Sequence, residues 1–298
     1  MDRFERLRLA TIHPLTTAKH PSLEMSGPAQ NLLRIAIGLL GALPLLAQGG
    51  PPLLTDDPGT PGNRNWEINI ASMQFWSNTE RELQNPLLDI NYGLGDRIQL
   101  KYQLPYLFDS DNGGSFRGGV GNSLLGVKWR FYQQSSEKGW HISTYPQLEL
   151  NNPDDSEARE IVDQGPRFLL PVEVTKVFGP VQVNGEAGYW FAKHSPGNPS
   201  PRERILGLAF GHQFNRRFEG LCEFYDDVLL GGGERSDTFD AGGRYEFHKG
   251  LLLLFMAGHG VGKADGQHVS FIGYLGLQIQ ITHGPKKHRG LRGQAGNP

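Results

Sequence analysis

The chain of 298 residues carries 29 Lys and Arg against 31 Asp and Glu, a formal net charge of −2, so no basic field points to nucleic acid. Charged residues make up 20%, glycine accounts for 40 positions, and no apolar run reaches the eighteen residues or so of a helical membrane span. The single cysteine, Cys222, excludes an internal disulfide and a cysteine-built metal cluster, and on an apolar strand face it reads as a small hydrophobe.

In chain order, the first element is an address. Ile35 to Leu46 reads IAIGLLGALPLL, too short to span a bilayer as a helix but suited to a signal-peptide h-region. Arg34 precedes it and Ala47-Gln48-Gly49 comes after it with a small-x-small pattern; Pro44 and the GGPP beyond argue against a buried helix. Residues 1–49 are therefore expected to be an over-long N-terminus plus signal peptide, with the true start open between Met1 and Met25. Residues 50–64 are expected to form a periplasmic N-terminal segment. Its Asp56-Asp57 pair lies ahead of the first strand, so it faces the periplasm or tucks into the lower mouth of a barrel. Without further ligands the pair gives a weak calcium or acid–base signal, and a turn or anchoring role is the simpler expectation.

From Asn65 to Ile281, runs of about ten residues alternate apolar with polar between turn-forming interruptions, the mark of strands with two unlike faces. The clearest is Ile98-Gln99-Leu100-Lys101-Tyr102-Gln103-Leu104-Pro105-Tyr106. Leu125, Val127, Trp129 and Phe131 alternate with Gly126, Lys128, Arg130 and Tyr132 in the same way. The runs place strands at 65–76, 85–93, 97–108, 122–133, 140–151, 167–178, 181–192, 203–214, 218–229, 237–247, 251–261 and 268–281, about twelve in all. A mean hydropathy of −0.42 is compatible with membrane insertion, because the two faces of each strand cancel in any average.

Short links (Gly93–Asp96, Gln134–Gly139, Gly179-Pro180, Asn215–Arg217, His248–Gly250) alternate with longer polar ones (Asp109–Gly121, Asn152–Pro166, His194–Arg202, Gly231–Ser236). Short periplasmic turns and long external loops have this alternation; a Greek-key sandwich does not. Aromatics such as Trp66, Trp76, Tyr106, Phe108, Trp140, Phe214 and Phe247 sit near run ends, as interfacial girdles require. The expected fold is all-β, an up-and-down antiparallel transmembrane β-barrel of about twelve strands over 65–282. A disordered basic tail, 283–298, comes last with Lys286, Lys287, His288, Arg289 and Arg292.

The segment Leu54-Thr55-Asp56-Asp57-Pro58, then Asn65-Trp66-Glu67-Ile68-Asn69, Leu87–Gly93 with Gly95-Asp96, Gln103-Leu104-Pro105-Tyr106, and GGVGNSLLGVKWRF ending at Phe131 carry a likeness. With these motifs the chain resembles the family of outer-membrane proteins named for the meta-pathway of phenol degradation, over most of the mature length. The resemblance implies a transporter of small organic compounds, aromatic ones included, in the cell outer membrane. The chain departs from the pattern by running on from Thr282 to Pro298 rather than ending on an aromatic after its last strand.

If the apolar faces meet lipid, the inward set carries Glu67, Asp89, Lys101, Lys128, Arg130, Glu149, Glu173, Glu186, Glu223, Asp240 and Arg244. Lys101, Lys128 and Arg130 fall on the third and fourth strands, whereas Glu173, Glu186 and Glu223 fall on the sixth, seventh and ninth. Across a barrel these bases and acids face one another. Two readings stand: a transverse field at a constriction that orients solutes, or a salt-bridged plug that satisfies lumen charges. Twelve strands lie between the filled barrel of about eight and the open channel of about sixteen, so a narrow or blocked lumen is expected. Asn152–Pro166, the longest external link, is either a lid or a mobile surface loop.

No catalytic residues, metal or cofactor are expected, and the expected partners are outer-membrane lipid, a small-molecule solute and the barrel assembly machinery. The alternatives are a structural or adhesive barrel without transport and an outer-membrane lipid hydrolase. The latter needs a His and Ser together near the outer rim. His141 and Ser143 share a face near the periplasmic end, and His259 and His268 flank the last external link with Ser270, without a third orienting group.

Overall fold

The computed structural model describes residues 50–111, 114–135, 139–159, 161–162, 165–192, 202–230, 235–261 and 268–283. The expected leader (1–49) and nearly all of the expected tail lie outside the described residues.

Alternation produces strands wherever the sequence carries it. They are β1 (Trp66–Ser77), β2 (Glu80–Leu94), β3 (Ile98–Asp111), β4 (Arg117–Val120), β5 (Ser123–Gln133), β6 (Trp140–Thr144) and β7 (Gln147–Leu150). They continue as β8 (Arg167–Phe178), β9 (Val181–Ala192), β10 (Arg202–Gln213), β11 (Phe218–Leu230), β12 (Arg235–His248), β13 (Leu251–Gly260) and β14 (Val269–Ile281). Each pairs antiparallel with its neighbours, and β1 pairs with both β2 and β14, which closes the sheet. Closure leaves no edge and satisfies the backbone internally, the condition for crossing lipid with strands.

Fourteen segments make twelve staves. β4 and β5 both pair with β3 and form one stave broken at Gly121-Asn122; β6 and β7 together bridge β5 and β8, broken at Tyr145-Pro146. Pro146 has no N–H to give to a ladder, so its stave breaks there, although its carbonyl still accepts from Val127 N at 3.0 Å. The expected strands at 122–133 and 140–151 are thus present, with breaks that alternation alone does not reveal. The second strand begins at Glu80, ahead of its expected start at Asn85. Ser77 Oγ accepts from the amides of Thr79 and Glu80 and tightens the hairpin, while the ladder slips one register between Gln84 and Leu87 beside Pro86.

The two faces sort inside out relative to a water-soluble domain. On β8, Phe168, Leu170 and Val172 are 39–49% exposed, while Glu173 between them and the turn is fully buried. Leu100, Leu125, Val127, Leu206, Leu208 and Leu275 share the outer wall, and Asn69, Asp89, Lys128, Glu186, Glu223 and Asp240 the inner one. An apolar belt around a polar interior is a lipid-facing surface, since a contiguous apolar patch of this extent does not face water in a soluble monomer. The protein is a closed, twelve-stave transmembrane β-barrel. Aromatic pairs at strand ends, Trp66 with Tyr92 (centroids 4.6 Å) and Trp76 with Phe271 (5.0 Å), mark its opposite rims.

Candidate functional site

The inner wall is crossed by the chain's own N-terminal segment. Expected in the periplasm or at the lower mouth, the segment instead reaches inward: Leu54–Asp56 bond strand residues near mid-height, while Thr60 stays at the short turn, donating to the Asp96 carbonyl at 3.0 Å. An extended segment presents amide N–H groups and carbonyl oxygens in different directions, so it needs acceptors on one side and donors on the other. The barrel supplies both. Glu223 on β11 accepts from Leu54 N and Thr55 N, each at 2.7 Å, and Glu186 on β9 accepts from Asp56 N at 2.8 Å. Opposite them, Lys128 on β5 donates to Asp56 Oδ1 at 2.6 Å and to the Asp57 carbonyl, and Arg130 donates to the Pro58 carbonyl at 3.3 Å. Arg244 on β12 holds the start of the segment through the carbonyls of Gly50 and Pro51 at 2.8–3.0 Å.

Packing adds to the polar grip. Leu53 is 5% exposed and clusters with Ala209, Leu221, Leu254, Met256 and Ile272; burying a leucine contributes about 1.5–3 kcal/mol. Gly207 makes room for Thr55, whose Oγ1 would lie 2.2 Å from any Cβ added there.

The six residues singled out from the sequence occupy different places in this arrangement. Lys128, 2% exposed, is the hub: besides Asp56 it approaches Glu173 Oε2 at 3.8 Å and sits 4.5 Å from the ring centroid of Tyr145. Glu173 also accepts from Ser143 Oγ. Glu186 and Glu223 bind the segment's amides, and Arg130 one of its carbonyls. Lys101 stays on the wall, 3.7 Å from Asp89 Oδ1. Burial by itself would push the Asp56 carboxyl up, but the Lys128 ammonium, with Lys101 behind it, more than offsets this and holds it below its ordinary 3.8.

Sequence reasoning did not reach two participants. Tyr145 is completely buried, with its hydroxyl accepting from Gln99 Nε2 at 3.0 Å; its position just before a strand-breaking proline was the available signal. Arg244 was placed on the inner wall but not linked to the segment. Ser143 Oγ is engaged by Glu173, and His259 Nδ1 lies 2.7 Å from the carbonyl of Gly260.

On the side of the long connections the lumen widens into a vestibule of about 820 Å³. Its wall mixes Pro105, Leu107, Leu124 and Trp190 with Gln84, Gln103, Asp109 and Glu149. The described part of the 152–166 link covers one flank: Ser156 is 1% and Ile161 6% exposed, and Arg159 donates to the Gly118 carbonyl at 2.9 Å. A small space of about 20 Å³ lies between the segment and the wall, beside Lys128, Tyr145 and Gln99.

No family model and no curated protein matches the sequence. Solved structures do match. The barrel is similar to the COG4313 outer-membrane channel from Pseudomonas putida F1, with a TM-score of 0.59 and 13% identity, over 78% of this chain and 100% of that one. It is also similar to the KdgM porin, with a TM-score of 0.50 and 10% identity over 72% and 99%. The likeness is one of fold. It places the chain architecturally among outer-membrane β-barrels.

Proposed function

We propose that this protein is an outer-membrane channel for small organic solutes, aromatic ones among them, and that residues 50–61 form an internal plug across its lumen. The observation that carries this reading is the charged inner wall running through a closed barrel, open to a vestibule on one side and occupied by the segment at mid-height. In this reading residues 1–49 direct export, the short turns face the periplasm, and the assembly machinery inserts the barrel among outer-membrane lipids. That two similar folds are a channel and a porin supports the reading without naming a cargo.

Lys101, Lys128, Arg130, Glu173, Glu186 and Glu223 then line the path, with Lys128, Glu186 and Glu223 acting through the plug they hold. The transverse charge arrangement and the salt-bridged plug become one device, since opposed charges grip a polar segment from both sides. Liposome swelling with small neutral and charged solutes tests the proposal. Swelling above protein-free vesicles supports it. Impermeability of both the intact protein and a form lacking residues 51–61 supports instead a structural barrel, the reading favoured by the filled mid-lumen.

A further inference from the structure

The two ends of the barrel treat their bases differently. On the side of the long connections, Arg117, Arg159, Arg167, Arg204 and Arg235 each lie 2.6–3.4 Å from a carboxylate. On the side of the short turns, Lys176, Arg64, Arg97, Arg216, Arg217 and Lys249 have no ion pair among the described residues, and all but Lys176 are exposed.

Lys176 is half-buried on the lipid-facing side of β8. Its ammonium lies 5.4 Å from the ring centroid of Trp140 and 5.9 Å from that of Phe178, both exposed rings at the short-turn rim. The register sets Lys176 opposite Trp140 on β6 and Val183 on β9. Gln213 N donates to the Pro180 carbonyl at 3.3 Å, which draws the end of β10, and with it the Arg216-Arg217 turn, towards the turn that follows β8.

A second observation, independent of charge, lies one outward row above Lys176. There Gly185 sits between Val174 and Leu208, and in the next row Ala187 sits between Val172 and Leu206. Small residues on β9 between larger ones on β8 and β10 leave the outer wall recessed. A Cβ added at Gly185 would meet nothing nearer than the Gly207 carbonyl oxygen at 4.0 Å. The recess is a groove of about 540 Å³ that reaches Phe224 and ends at the Arg204–Asp226 ion pair, 2.6 Å apart. Its volume falls within the roughly 300–1,000 Å³ of small-molecule pockets. The charge at its far end is thus matched, whereas the charge below its near end is not. An unmatched cation leading into an apolar groove complements an amphiphile with an anionic head and a hydrocarbon chain. The head gains charge-assisted hydrogen bonds, the chain buries its methylenes, and aromatic rings frame the headgroup level.

We propose that the outer wall over β8–β10 binds one anionic phospholipid from the leaflet on the short-turn side. Its phosphate lies on Lys176 and an acyl chain fills the groove over Gly185 and Ala187. This goes beyond the channel reading and rests only on the transmembrane barrel. Native mass spectrometry of the detergent-solubilised protein reads bound lipid directly. Dioleoylphosphatidylglycerol should be retained at about tenfold lower concentration than dioleoylphosphatidylcholine, which has the same chains and no net charge. Lys176→Gln should remove most of that preference. Gly185→Leu, which fills the groove, should weaken retention of both lipids several-fold; Ala187→Leu serves in its place if Gly185→Leu does not shift on boiling. Equal retention of the two lipids, an unchanged preference in Lys176→Gln, or unchanged retention in the filled variant overturns the proposal. Displacement of the lipid by glycerol 3-phosphate would assign the site to free phosphate, and a dimer without lipid would assign the wall to a second copy; either result overturns it too.

Discussion

Lys128 concentrates the energetics of the lumen in one side chain. A buried ammonium is tolerable only with close counter-charges, and removing it strands those charges in turn. Lys128→Met leaves Asp56 and Glu173 without their cation, a cost of about 3–5 kcal/mol for a broken buried pair, part of which is relieved if the segment leaves the lumen. The expected outcome is a barrel that still shifts on boiling but whose residues 50–61 become accessible to limited proteolysis. Continued protection would show that the ion pair does not hold the segment. Asp56 gives this contact a pH dependence. Its carboxyl is held below its ordinary 3.8, so it contributes stability that is fully present above that value and lost as pH falls through the lowered one. Acidification below about pH 4 should therefore loosen the segment and raise conductance. In Asp56→Asn this acid-induced rise should be absent, because the titrating group is gone.

At the scale of elements, the segment and the strand beneath it were shaped together. A side chain at position 207 would collide with Thr55, so Gly207→Val should expel the segment while leaving the β10 ladder intact. Conductance is expected to rise several-fold with no loss of the boiling shift; unchanged conductance would mean that Thr55 is not seated there. The strands themselves were legible because one physical demand, apolar out and polar in, recurs on every stave and writes itself as a period of two. The interruptions were not legible. Pro146 and the Gly121-Asn122 step break staves through backbone hydrogen bonding, which alternation does not record, and the Glu80 start depends on Ser77 capping a tight hairpin. The segment itself was harder still. Leu54 to Pro58 makes no regular structure, and its partners on the strands lie 71 to 169 residues away in the chain.

For the whole molecule, closure between β1 and β14 turns a set of marginal hairpins into one cooperative wall. The unboiled protein should migrate differently from the boiled protein in detergent gels, whereas a soluble β-fold would show no such shift. The sequence sorts charge by strand, with Lys128 and Arg130 apart from Glu186 and Glu223, but Glu173 lies 3.8 Å from Lys128 rather than across from it. What fills the gap between the two sets was not legible there, since both could have faced water. Their buried positions, the paired amides at Glu223 and the ammonium on Asp56 show a lumen organised around a segment of its own chain. Single-channel conductance in planar bilayers, for the intact protein and for one lacking residues 51–61, tests this most directly. A several-fold larger conductance after deletion is the predicted result; identical conductance would contradict a plug in the path.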